Sequence, residues 1–136
     1  MPQTVVTLRE MIAGMVPSLA LGRWTFCSVD AAQAATLLPE AVALFREAEG
    51  LSLIVPVSLA PPGAVAMRQI TLAVYSSLEG VGLTAAVSQA LAEEGIACNI
   101  VAACLHDHIF VPEDQAAAAM ARLQALQRSG QGIDQM

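Results

Sequence analysis

Between Ile70 and Pro112, a strand, a helix and two further strands follow one another without interruption, and this succession constrains the fold most strongly. The segment ITLAVYSS has the residue types of a strand, Gly82 opens an amphipathic helix, and Gly95 ends that helix directly before the next strand. A last helix is predicted over 113–128. The second half therefore reads β-α-β-β-α, one strand short of the β-α-β-β-α-β unit.

The first half predicts helix, strand, helix and strand. Thr7 and Glu10 have the spacing of a capping box at the start of a short helix that Pro17 ends. Pro39 opens a segment with apolar residues at helical spacing, and Gly50 would cap its end. One of these strands could complete the sheet of the second half. We predict helices over 7–15 and 39–49, and strands over 23–29 and 51–57.

Charge and composition exclude several classes of function. The net charge is −6, and all six basic residues are scattered arginines, so the sequence indicates no nucleic-acid surface. Without a lysine the chain has neither a Schiff-base nucleophile nor a phosphate-loop lysine. The longest uncharged stretch, 51–67, is broken by prolines, which argues against a membrane helix. Three cysteines without a C-x-x-C pair suit a reducing cytoplasm.

Four strings in the sequence resemble the ACT domain, and in particular a bacterial family of small tandem ACT-domain proteins that are similar to the ACT domains of aspartate kinases. The resemblance includes the glycine in the strand-to-helix loop, the Ala-Leu-Ala helix end and the Gly-Ile that follows it. The strings are FCSV at 26–29, LFREAEGL at 44–51, SSLEGVGLTAAVS at 76–88 and HDHIFVP at 106–112.

This resemblance implies an α+β fold of tandem ferredoxin-like units, with antiparallel sheets, helices packed on one face, and a strand shared or exchanged between units. We expect residues 1–60 to form a first, irregular or permuted unit and 61–66 to form a Pro-Gly linker. Residues 67–129 would form the second unit, and 130–136 a flexible tail.

The resemblance also implies binding and regulation rather than catalysis, with a small molecule, by analogy an amino acid, held at the loop near Gly82 and at the interface between units. A helix start offers unpaired amide groups to a carboxylate, and a glycine lets backbone approach a ligand. The same residues could instead only cap and shape the turn. The candidate ligand-binding residues are Ser76, Ser77, Glu79, Gly80, Val81, Gly82, Leu83, Thr84 and Asn99.

Asn99 is included because the sequence departs from the family pattern. Where aspartate kinase ACT domains often place an asparagine after Gly-Ile, this chain has Ala97. Asn99 lies two residues further along the same strand face and could take over that role.

His106, Asp107 and His108 form the other distinctive group. Two histidines flanking one residue on a strand would share a face, as in metal sites, but no third ligand stands at a diagnostic spacing. If Asp107 is instead a hairpin turn, the imidazoles diverge and serve as interface or pH-switch residues. A catalytic pair of Cys104 and His106 lacks an electropositive setting, and we expect Cys98 and Cys104 to be core residues.

The sequence therefore predicts a cytoplasmic, non-enzymatic module without cofactor or metal, whose partners are a small molecule, an unidentified protein and a second copy of the chain in a homodimer. Two alternatives stay open. The first is a structural interaction domain that offers a sheet edge to another protein. The second is a small metal protein or enzyme that uses His106 and His108.

Overall fold

The computed structural model describes residues 7–73 and 80–132, whose secondary structure consists of helices and short strands. The predicted α+β class is confirmed. The elements in chain order are α1 (Leu8–Gly14), β1 (Val16–Leu19), β2 (Trp24–Val29), α2 (Ala31–Leu37), β3 (Ala43–Glu47), β4 (Gly50–Pro56), β5 (Met67–Ala73), α3 (Leu83–Glu93), β6 (Asn99–Ala102), β7 (Asp107–Pro112) and α4 (Ala116–Gly132).

All the strands in the described part of the chain belong to one seven-stranded antiparallel sheet. The strand order is β3-β4-β2-β5-β7-β6. Strand β1 is not in this series: it pairs with β5 along the edge of β5 that also pairs with β2. We call β2, α2, β3 and β4 the small lobe, and the remaining elements the large lobe. In the large lobe the order β1-β5-β7-β6 places β1, from the N-terminal part of the chain, in the position of the strand that the second half lacks. A reciprocal exchange of strands is not shown.

The helices lie on one face of the sheet. In β5, Ile70 and Leu72 are fully buried and alternate with the half-buried Gln69 and Thr71, which point to the helix-free face. The same buried face carries the core of the large lobe, which α1, α3 and α4 cover with residues such as Met11, Val87 and Leu123. The small lobe has α2 alone on this face, over a cluster formed by Ala34, Leu53 and Val55.

Local sequence explains why two of the helices begin where they do. The Thr7 hydroxyl accepts a hydrogen bond from the Glu10 amide at 3.1 Å, which confirms Thr7 as the N-cap of α1. Asp30 and Gln33 cap α2 reciprocally, since each side chain accepts from the backbone amide of the other.

The predicted helix over 39–49 is wrong. Leu38–Glu40 form a single 3-10 turn, and β3 then pairs with β4 along its whole length. Pairing with β4 here overrides a helical spacing of apolar residues, and it leaves Phe45 largely exposed. Gly50 consequently begins β4 instead of capping a helix.

Three smaller boundaries also differ from the sequence analysis. Pro17 lies inside β1 rather than simply ending a helix, and the strand predicted from Ile96 begins at Asn99. Gly130, predicted as the start of a tail, is a buried residue of α4. A β-carbon at Gly130 would lie 3.0 Å from the Ala13 amide nitrogen, so glycine permits the close contact between α4 and α1.

Candidate functional site

The start of α3 has the geometry that the sequence analysis expected of the loop glycine. Gly82 is the N-cap residue with φ of +104°, a conformation that favours glycine, and no side chain caps the helix. The Ala86 amide donates to the Gly82 carbonyl at 2.9 Å, so the amides that precede Ala86 have no acceptor inside the helix. These amides and the helix dipole favour an anion at this point.

The open side of Gly82 faces a side chain of the same protein. A β-carbon there would lie 3.0 Å from Leu8 Cδ2 and 3.2 Å from Leu8 Cδ1. We expected the missing β-carbon to let a ligand approach; in the structure it lets α1 pack against the loop. The N-terminal helix is therefore part of the surroundings of the candidate site.

A cavity of about 120 Å³ lies between the start of α3 and the turn that joins β6 to β7. It brings together two groups of residues that the sequence analysis treated separately, the loop glycines and the histidine motif. At about 30 Å³ per water molecule it has room for about four waters. The described residues that line it are Met11, Gly80, Gly82, Leu83, Thr84, Ala102, Ala103, Leu105, His106 and Asp107.

The other predicted ligand residues are distributed differently. Val81 is 83% exposed, whereas the Leu83 side chain is buried in the core and can offer only its backbone to a ligand. Asn99 lies at the far end of β6 from Ala102, where its Nδ2 donates to the Phe110 carbonyl at 3.3 Å. The structure therefore does not bring Asn99 to the cavity. Ser76, Ser77 and Glu79 fall outside the described residues.

Asp107 is not the hairpin turn that the sequence analysis considered. The Ala103 amide donates to the His106 carbonyl at 3.0 Å and closes the turn one residue earlier, so Asp107 is the first residue of β7. The two imidazole rings also stay close instead of diverging, with centroids 6.4 Å apart. Within the described chain, no three histidine, cysteine or acidic side chains come together as a metal site would require.

His108 lies on the helix-free face in a polar cluster. Its Nδ1 is 3.0 Å from Gln69 Nε2 and 3.1 Å from Thr71 Oγ1, so an unprotonated Nδ1 can accept one hydrogen bond, from the Gln69 amide or from the Thr71 hydroxyl. Burial lowers the pKa of His108 below its usual 6.5, the neighbouring His106 lowers it further, and Asp107 acts in the opposite direction. His108 is thus held in its neutral form at neutral pH.

The cysteines divide between the core and the surface. Cys98 packs against the core of the large lobe, and burial raises the pKa of its thiol, as it does for Cys27. The expectation that Cys104 is a core residue is wrong, because Cys104 is exposed in the turn after β6. The half-buried thiols of Cys27 and Cys98 therefore lack the lowered pKa that a nucleophile requires.

Side chains that sequence reasoning missed connect the two lobes. Arg23 donates to both carboxylate oxygens of Glu113, from Nε at 2.7 Å and from Nη2 at 2.9 Å. On the helix-free face, Phe26 and Phe110 meet edge to face with centroids 5.6 Å apart. Both pairs join residues far apart in sequence, so no local pattern could have revealed them.

Comparison with known proteins identifies the family to which the chain belongs. Two models of the ACT domain match the chain, one over residues 4–70 and the other over 65–125. The chain belongs to the ACT-domain family. ACT domains are regulatory modules, and membership in the family supports a regulatory module that binds a small molecule.

Three crystal structures resemble this ACT-domain chain. A Vibrio cholerae protein of unknown function, described as a possible transport protein, is 37% identical with a TM-score of 0.77, covering 88% of this chain and 95% of its own. An Agrobacterium tumefaciens protein is 14% identical with a TM-score of 0.63 and coverages of 83% and 89%. The ligand-free regulatory subunit of aspartate kinase from Thermus thermophilus is 14% identical with a TM-score of 0.59 and coverages of 81% and 95%.

No curated protein sequence matches the chain. The two structures with 14% identity support the fold alone. Across residues 7–73 and 80–132, no helix combines the length and apolar character that crossing a bilayer demands.

Proposed function

We propose that this ACT-domain protein is a non-enzymatic regulatory module that binds a small amino acid in the cavity between the start of α3 and the β6–β7 turn. The observation that carries the proposal is the convergence in one cavity of the free amides after Gly82 with the carboxylate of Asp107. A helix start attracts the carboxylate of an amino acid, and an acidic side chain accepts from its ammonium group. Thr84 adds a hydroxyl at the same place.

The size of the cavity limits the ligand. A volume of about 120 Å³ suits an amino acid with a very small side chain, whereas drug-sized sites occupy about 300–1,000 Å³. A larger amino acid that extended toward α1 would displace Met11, which lines the cavity, or Leu8, which contacts Gly82.

The contact with α1 suggests how binding would be transmitted. A ligand changes the population of two states only if it binds them with different affinity. Ligand bound beside Gly82 would favour the arrangement of α1 that accommodates it, and α1 would relay that preference to a partner protein through α4. We also propose that two copies of the chain pair to form a homodimer.

A thermal-shift screen with the twenty amino acids tests the proposal. At a concentration of about 100 times Kd, a ligand stabilises its protein by about 2.7 kcal/mol, so one or a few small amino acids should raise Tm clearly. Asp107→Asn should abolish that shift, and Asp114→Asn, which removes the same charge outside the cavity, should preserve it. Uniform silence across the screen, or an unchanged shift in Asp107→Asn, would contradict the proposal.

The second candidate function is protein interaction through the outer edge of the sheet. It is favoured by β3, an edge strand whose Phe45 is 70% exposed, and by Phe26, which is 45% exposed on the same helix-free face. Light scattering of wild type and Phe45→Ser tests it. Association that disappears in the variant supports this function, and a wild-type protein that stays monomeric at all concentrations opposes it.

A further inference from the structure

The two lobes differ in how many helices cover them, and the difference leaves a groove beside α2. On the helix side of the sheet, α2 packs on β4, whereas the large lobe carries three helices. Next to α2, an open groove of about 540 Å³ is bordered by residues of β2, of α2 itself and of the segment 59–61. This volume lies within the range of small-molecule sites, which is about 300–1,000 Å³.

The lining of this groove is apolar with a few uncharged polar groups. Val29, Leu37 and Leu59 supply its apolar surface, and Cys27 lies beside them. Burial raises the pKa of the Cys27 thiol, which therefore remains neutral at neutral pH. No charged side chain lines the groove in the described structure, so an ion placed there would lose hydration without gaining a counter-charge.

Two polar side chains could orient a ligand. The Gln33 Oε1 atom accepts from the Asp30 amide, which leaves the Nε2 group of Gln33 as a donor. The Thr36 hydroxyl donates to the Ala32 carbonyl at 3.4 Å and keeps its acceptor lone pairs. The groove thus offers one amide donor and one hydroxyl acceptor above an apolar floor.

We propose that this groove is a second binding site, distinct from the cavity beside Gly82, for a small uncharged molecule with an apolar body and one or two hydrogen-bonding groups. Cys27, Val29 and Leu37 are only half-buried at the edge of the Ala34–Leu53–Val55 cluster. A neutral ligand would bury the edge of this small core as further helices do for the large lobe.

The test uses three probes that share one ring system and differ in charge: neutral indole, anionic indole-3-acetate and cationic tryptamine. The readout is the rate at which N-ethylmaleimide alkylates Cys27, followed by peptide mass spectrometry at about pH 8, where part of the thiol ionises. Cys104, exposed outside the groove, is the internal control. Indole at about four times its Kd should slow Cys27 alkylation about fivefold, while both ions leave the rate almost unchanged.

Equal Cys27 rates with and without indole would overturn the proposal, as would protection by either ion that equals the protection by indole. A Cys27 rate that falls with protein concentration in the absence of any probe would also overturn it, because a second copy of the chain would then occupy the groove.

A variant that introduces one positive charge into the groove adds a test, because it should change which probe protects Cys27. Thr36→Arg places a cation in the groove at an exposed helix position, so protection by indole should fall and protection by indole-3-acetate should appear. Ala35→Arg adds the same charge to α2 outside the groove and should behave like wild type. Circular dichroism of both variants verifies folding, and identical probe selectivity in the two variants would contradict the assignment.

Discussion

The large and small lobes share one antiparallel sheet but bury it to different depths. In the large lobe, α1, α3 and α4 cover a contiguous core that includes the fully buried Leu91, Ile109 and Leu123. In the small lobe, α2 covers Ala34, Leu53 and Val55, and the neighbouring residues stay half-buried. One sheet thus supports a deeply buried region that positions the cavity beside Gly82 and a thinner region that leaves an open groove.

The largest expected difference between the lobes concerns their cores. Leu91→Ala removes a fully buried side chain from the large lobe and should lower the free energy of unfolding by about 2–5 kcal/mol. Leu37→Ala, the same change in a helix of the small lobe, affects a half-buried side chain and should cost only about 1 kcal/mol. Urea unfolding measures both values. Equal losses would mean that the small core supports the fold as strongly as the large one.

A smaller effect tests whether α1 truly belongs to the large lobe. Gly130→Ala should gain helix propensity, yet its new β-carbon would lie 3.0 Å from Ala13 N and 3.1 Å from Ile12 Cγ2. We expect a net loss of about 1–3 kcal/mol in the free energy of unfolding. The matched change Gly14→Ala meets nothing within 4 Å and should be neutral or slightly stabilising. A stabilising Gly130→Ala would show that α4 does not hold α1 closely.

The smallest effect concerns the ion pair that links the lobes. Arg23 lowers the pKa of the Glu113 carboxyl, chiefly by hydrogen bonding, from a usual value of 4.5. Since the pKa in the folded protein is the lower one, this contribution to stability is complete above about pH 4.5 and is lost as pH falls through the folded-state pKa. Both side chains are about half exposed, so solvent screens the pair.

Glu113→Gln should therefore lower Tm slightly at neutral pH, progressively less as the pH falls through the folded-state pKa of Glu113, and not at all in about 1 M salt. Asp114→Asn, one residue further, provides the control for removing one negative charge. A Tm difference between wild type and Glu113→Gln that persists in acid would assign the effect to packing rather than to charge.

Sequence reasoning succeeded where local pattern and tertiary structure agree. The succession of β5, α3, β6 and β7 was predictable because strand periodicity, helix periodicity and the glycines at 82 and 95 all indicate the same elements. It failed for 43–47, where helical spacing competes with pairing to β4, and for β1, where Pro17 indicated only the end of a helix.

The candidate site was predictable only in part, for a similar reason. The loop glycine carries a local signal, but its proximity to Leu8 and to the turn before Asp107 depends on packing between distant segments. Asn99 was included on strand alternation alone, which gives the face of a strand but not the end of the sheet at which a residue lies.

Amide chemical shifts recorded during titration with each of the twenty amino acids test the central claim most directly, because they report where a ligand binds as well as whether it binds. The account predicts that a small amino acid produces its largest shifts at residues 82–85 and 102–107, with weaker changes in α1 and none in β3 or β4. Largest shifts in the small lobe, or no shift for any amino acid at concentrations of about 10 mM, would contradict it.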